Sequence, residues 1–200
     1  MLGLFTRPVA FILSGQMAVA YWVRWAPLGF WASLEGNGEV TIFYCFFYLF
    51  LFAAGGGAWS LDNILRDRQR LADSQWIPYM LGITRIIIGF LITWHGMVKV
   101  FGYPTGSPMP LSSLMGIAGA LEFFGGLLII AGLCSRPTAL ILAGEMALAF
   151  LIIHLTRGFW TVMNGGEPAL FYCFFFLFVS AAGPGRWSLD GFRKPIARVF

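Results

Sequence analysis

Six stretches of this chain are continuously apolar for close to the length needed to cross a bilayer, and that leaves little choice of fold. They run near 8–26, 40–58, 78–101, 111–133, 137–156 and 168–182, and about 20 apolar residues in a helix span the roughly 30 Å hydrocarbon layer. With 58% hydrophobic and 11% charged residues and a mean hydropathy of +0.78, the 200 residues lack the polar surface of a soluble domain. The runs show no polar-apolar alternation of the kind that wets a barrel lumen, so they predict helices rather than barrel strands. The expected fold is an all-α integral membrane protein with six transmembrane helices.

Basic residues set the expected orientation. With a cytoplasmic N-terminus, Arg7, Arg66, Arg68, Arg70, Arg85, Arg136, Arg186, Arg193, Lys194 and Arg198 lie on or nearest the cytoplasmic side, and only Arg24, Lys99 and Arg157 towards the other. That asymmetry predicts an inner-membrane protein with both termini cytoplasmic. It also accounts for the net charge of +4 without nucleic acid. Trp22, Trp31, Trp59, Trp76, Trp94, Trp160 and Trp187 fall near span ends, where indoles sit at headgroup level. No cleavable signal peptide is evident, and the first run is expected to act as an uncleaved insertion signal. Cys45, Cys134 and Cys173 form no CxxC pair, which argues against a thiol-disulfide relay and for packing roles.

The chain also repeats itself. Residues 7–62, opening RPVAFILSGQMAVA, return as 136–190, opening RPTALILAGEMALA, with about half of the aligned positions identical. Both copies pass through GFW, a turn ending in Glu39 or Glu167, then FYCFF and WSLD. Gln16 stands where the second copy has Glu145, and Trp25 where it has His154. Chemistry is therefore expected in the second copy. Glu39 and Glu167 open helices, where the macrodipole favours a carboxylate, and they read first as caps. Glycines 116, 119, 125, 126, 132 and 144 permit close helix approach and argue for a tight bundle. The polar segment 62–75 marks a module boundary. The expected organisation is an N-terminal hairpin (1–62), a cytoplasmic connector (63–77), a four-helix unit (78–192) and a basic tail (193–200).

From Thr84 onward, TRIIIGFLITWHGMVKVFGYP, LSSLMGIAGALEFFGGLLIIAGLCSRP, LAGEMALAF, RGFWTVMNGGEPALFYCFFFLF and AAGPGRWSLD closely resemble the DoxX family over about residues 80–190. Residues 1–62 resemble the second half of another such unit. The resemblance implies a bacterial or archaeal multi-pass membrane protein. Some members are associated with thiosulfate:quinone oxidoreductase, and others with membrane assemblies of sulfur, thiol and oxidative-stress metabolism.

Ionisable residues inside the membrane are costly unless paired or facing a wet cavity, and they mark functional sites by default. Counting at 1.5 Å per residue puts Arg85, Glu122 and Glu145 near mid-depth, with Arg85 as counter-ion to the acids. Two carboxylates with one cation favour retention of an exchangeable proton, and a structural ion pair is the plainer alternative. A second, outer layer holds His95 and Lys99, at i and i+4 on one helix face, with His154. Nine residues of straight helix turn through about 900°, which would set His154 and Glu145 on opposite faces. Haem or metal ligation by the two histidines lacks a third ligand or an attachment motif, and no metal is expected.

P-loop, Rossmann, CxxC and HExxH patterns are all absent, so a redox cofactor is expected to be a membrane quinone or to belong to a partner. Glu122, Glu145 and His95 are the candidate proton-handling residues, and Arg85, Lys99 and His154 the candidate cofactor-binding ones. The expected function is a membrane subunit of a redox complex, quinone-linked, with lipids, other membrane or membrane-associated redox proteins and further copies of itself as partners. The alternative is a non-catalytic accessory or assembly subunit. A small-solute transporter ranks third, because the repeated hairpins share one orientation. Whether the chain is an enzyme stays open.

Overall fold

The computed structural model describes residues 3–30, 38–65, 75–104 and 106–193, and no strand occurs among the described residues. Trp31, most of the 63–77 connector and the 194–200 tail lie outside them. The chain divides into two compact units, Met1–Thr84 and Arg85–Ala197.

In the first unit, α1 (Thr6–Ala20) continues through a π turn (Tyr21–Trp25) and a 3-10 turn (Ala26–Leu28). It packs along α2 (Gly38–Ala54), and the short α3 (Leu61–Leu65) follows. The run expected to reach residue 58 stops at Ala54 because Gly55 takes φ +82°, a conformation that ends a helix and suits glycine. Asp62 fixes the start of α1: its two carboxylate oxygens accept the backbone N–H groups of Phe5 and Thr6 at 2.8 and 2.6 Å. That satisfies donors a helix N-terminus leaves free and holds Phe5 in its left-handed conformation, φ 51°. Arg7 donates from Nη2 to the Ala53 carbonyl at the end of α2, at 3.0 Å.

Helix α4 (Ile77–Phe101) starts in the first unit and runs on as the opening helix of the second. There follow α5 (Leu114–Ala131), α6 (Ser135–Ala149) with its π turn (Phe150–His154) and 3-10 turn (Leu155–Arg157), α7 (Thr161–Asn164), α8 (Glu167–Ala182) and α9 (Leu189–Arg193). Ser113 caps α5, its hydroxyl accepting the Gly116 N–H at 3.0 Å. Helices α4 and α5 touch backbone to backbone: a methyl group on Gly96 would strike the Phe123 backbone, and one on Gly126 would strike Thr93. This is the close approach small residues allow between membrane helices.

Asp190 does at α6 what Asp62 does at α1. Its oxygens accept the N–H groups of Cys134 and Ser135 at 2.9 and 2.7 Å, with Cys134 at φ 49°. Arg136 reaches the last carbonyls of α8, including that of Ala181 at 2.6 Å. The WSLD block, without an assigned role in the sequence, thus ends in a side chain that starts a helix 56 residues earlier.

Three helical segments are long and apolar enough to cross a membrane: Ile77–Phe101, Leu114–Ala131 and Ser135–Arg157. Two apolar helices are shorter, Gly38–Ala54 and Glu167–Ala182. The α1 segment carries Gln16 and Arg24 within its length and is not among the three.

Candidate functional site

Arg85 departs furthest from expectation. Its guanidinium is fully buried and donates to backbone carbonyls: Nε to Pro184 at 2.8 Å, Nη1 to Ile130 at 2.7 Å and to Ile129, and Nη2 to Trp187 at 2.9 Å. Asp190 is the carboxylate that acts on it electrostatically. Arg85 is therefore not the counter-ion of Glu122 or Glu145. The reason is register. Lys99 packs over Gly119 and Gly96 over Phe123, so Glu122 lies within a turn of Lys99 in the antiparallel pair. Arg85, 14 residues before Lys99, sits about four helical turns away, where α5 ends and α6 begins. Counting depth from the start of each apolar run missed this, since α4 is 25 residues long and α5 only 18.

Lys99 supplies the missing cation. Its ammonium donates to Glu122 Oε1 as a salt bridge; the lysine side chain is 27% exposed and the glutamate 3%. The lysine stem crosses the Cα of Gly119, and its head reaches one turn deeper than its own backbone, as a long cationic side chain can. Two expected layers thereby become one.

Glu145 lies level with Glu122 on the neighbouring helix, because Gly125 of α5 packs against Leu142 of α6, three residues from each acid. Both Glu145 carboxylate oxygens are buried and meet no hydrogen-bond partner among the described residues, and the same holds for Glu122 Oε2. Glu122 and Lys99 are the charges that act on Glu145.

His154 faces the same space as Glu145, correcting the opposite-face expectation. The helix between them is not straight: over Phe150–His154 it widens into a π turn, which advances through less angle per residue than an α turn and brings the histidine round. Its Nδ1 lies 3.1 Å from the Asn164 carbonyl. A carbonyl only accepts, so Nδ1 carries a proton in this contact. Asn164 is itself held, donating to the Gly158 carbonyl at 2.7 Å and accepting the Gly166 N–H at 2.7 Å. His95 meets the Tyr172 ring edge-on, with centroids 6.1 Å apart.

These groups line one cavity of about 700 Å³ inside the second unit. Its wall is mostly apolar, and His95, Lys99, Glu122, Glu145, His154, Arg157 and Tyr172 supply its ionisable side chains. Exposed Leu114, Ile117 and Leu121 of α5, exposed Ile141 and Leu148 of α6 and exposed Ile152 of its π turn are part of that wall. Much of its wall thus comes from two helical segments that are each long and apolar enough to cross a membrane. Five of the six expected residues line it and Arg85 does not. Tyr172, Arg157 and the supporting Asn164 were not singled out in the sequence, where Tyr172 reads as one more aromatic of an apolar helix. No group of three or more metal-ligating side chains occurs among the described residues.

An all-helical chain with bilayer-length apolar helices around buried ionisable groups is a helical membrane protein. Residues 80–155 match the DoxX family, and the chain belongs to that family. It is similar to an uncharacterized protein of Haemophilus influenzae, 36% identical over 125 residues that make up 56% of this chain and 90% of the relative. It is also similar to the inner membrane protein YqjF of Escherichia coli, 31% identical over 54% of this chain and 87% of that one. An uncharacterized membrane protein of Mycobacterium tuberculosis is 27% identical over 60% of this chain and 85% of its own. No solved structure matches.

Proposed function

We propose that this protein is an inner-membrane subunit of a redox complex and that the cavity of its second unit binds a membrane quinone. The carrying observation is the pairing of a mostly apolar cavity, walled in part by exposed side chains of α5 and α6, with the polar side chains of Lys99–Glu122, Glu145, His95 and His154. A quinone has a flat head that exchanges hydrogen bonds and protons and a tail that belongs in lipid. A cavity of about 700 Å³ is of the size that holds such a ligand. Glu145 and His154 are the residues placed to exchange protons with the head, and Lys99 to donate to a ring oxygen.

In this reading the six apolar runs all cross the membrane, both termini are cytoplasmic, and the two similar hairpins are copies of one unit. The positive-inside asymmetry and the family relationship to YqjF, an inner membrane protein, support the placement. The test is mass spectrometry of quinones retained after purification in mild detergent. Retention near one quinone per chain is expected, and its loss in Glu145→Gln would tie it to the cavity. Absence of quinone in preparations that keep their other lipids would count against the reading.

A further inference from the structure

We infer that the cavity exchanges protons with one face of the membrane only, the face on which Arg157 lies, and that the Arg85 end of the same unit is closed to them. This rests on the second unit crossing the membrane as proposed above, and it holds whichever ligand the cavity takes. The cavity lining stops part-way along every helix: it reaches no further towards Arg85 than Ile92 on α4, Glu122 on α5, Ile141 on α6 and Tyr172 on α8. At the other end it continues to the helix termini. Lys99 stands two residues before the end of α4, and His154 and Arg157 close the two turns that continue α6. Arg157 is exposed.

The Arg85 end is dry by composition. No Asp, Glu, His, Lys or Arg occurs in residues 86–94, 123–131, 137–144 or 173–182, and Ile88, Leu91, Ile129, Leu142, Phe176 and Val179 are buried there. From Glu122 to the end of α5 at Ala131 this is about 13 Å of helix. Side chains packed at the density of a protein interior leave no file of water, and a proton needs water or a chain of exchanging groups to move. The Thr93 hydroxyl is turned back to the Gly89 carbonyl at 2.7 Å. Arg85, beyond them, donates to backbone carbonyls and does not give up its proton. The titratable and charged groups that share the cavity with Glu145 are His95 and Lys99 of α4, Glu122 of α5, His154 and Arg157 of the turns after α6, and Tyr172 of α8. A volume of about 700 Å³ has room for water among them, and an imidazole both takes and gives a proton. A proton leaving the Glu145 carboxyl therefore passes through water and His154 to the Arg157 face; no other bond is made or broken and no electron moves.

The test uses the full-length protein in membrane vesicles of both orientations, with no quinone added, so that its outcome is separate from that of the retention measurement. A lipid-soluble carbodiimide reacts with a carboxyl in its protonated form, and labelling of Glu145, read by mass spectrometry of peptides, follows its protonation. Trypsin, which does not cross the membrane, cuts after Arg157 only where that face is outside and so identifies the orientation. Raising the pH on the Arg157 face, with the opposite face buffered, is expected to lower the labelling by at least about fivefold. The same change on the Arg85 face is expected to leave it unaltered. Cutting after Arg157 in both kinds of vesicle alike would overturn the crossing, and the inference with it. Labelling that follows the pH of the Arg85 face, of both faces or of neither would overturn the inference alone.

Discussion

The hairpins α1–α2 and α6–α8 solve the same folding problem with the same parts. In each, an aspartate some 56 residues downstream takes two N–H groups at the helix start, from Phe5 and Thr6 to Asp62 and from Cys134 and Ser135 to Asp190. In each, an arginine one or two positions into the first helix caps the end of the second, and that first helix loosens into a π turn and then a 3-10 turn. The π turn is therefore part of the scaffold and by itself marks no site. What differs is what the scaffold carries. Gln16 is exposed on α1, whereas both Glu145 oxygens are buried and unpartnered. Trp25 stacks under the Arg24 guanidinium at 5.2 Å, whereas His154 is oriented by the Asn164 carbonyl. Two exchanges at equivalent positions separate a packing hairpin from one that lines a cavity.

The sharpest way to break this division is Arg85→Leu. It removes the donor that four carbonyls share and leaves them buried, so a loss of about 3 kcal/mol or more is expected. Thermal unfolding in detergent reads it, and a variant as stable as the parent would return Arg85 to a role in the cavity.

The two aspartates test whether the hairpins are as alike as they look. Asp62→Ala should cost about 1 kcal/mol, the usual value of a lost helix cap. Asp190→Ala should cost about 2 kcal/mol, since Asp190 also faces Arg85 electrostatically. Equal losses would mean that Arg85 draws nothing from Asp190.

The smallest expected effect is that of Glu145→Gln on stability, within about 0.5 kcal/mol of the parent, because no hydrogen bond to protein is lost. A large destabilisation, read from the same unfolding curves, would make the acid a structural element of the bundle. The cavity hairpin would then differ from its counterpart in packing alone.

The helices themselves were legible in the sequence. Long apolar runs, the prolines near their starts and the glycines at their ends placed α4, α5 and α8 within three residues of where they lie. Glu122, Glu145, His95, Lys99 and His154 could be picked out because ionisable groups stand out in apolar runs. Their partners were not legible. Which residue of α4 faces Glu122 depends on the register in which two helices pack, fixed here by the contact of Gly96 with Phe123, and depth counted along one helix carries no such information. His154 was set on the wrong face because hydropathy does not reveal a π turn. The role of Asp190 depends on a loop folding back over 55 residues.

The most direct test of a ligand cavity confined to the second unit is photolabelling with an azido-quinone in lipid, comparing the parent, Gly144→Phe and Gly15→Phe. Both glycines are exposed on their helices, and neither has an atom within 4 Å of the position its Cβ would occupy, so both variants should fold. Gly144 lines the cavity, and an added ring there would intrude into it. Label is expected on peptides of α6 between Glu145 and His154 in the parent and in Gly15→Phe, with a loss of at least about tenfold, or roughly 1.4 kcal/mol of binding, in Gly144→Phe. Equal labelling of both hairpins, or labelling of α6 that survives Gly144→Phe, would contradict it.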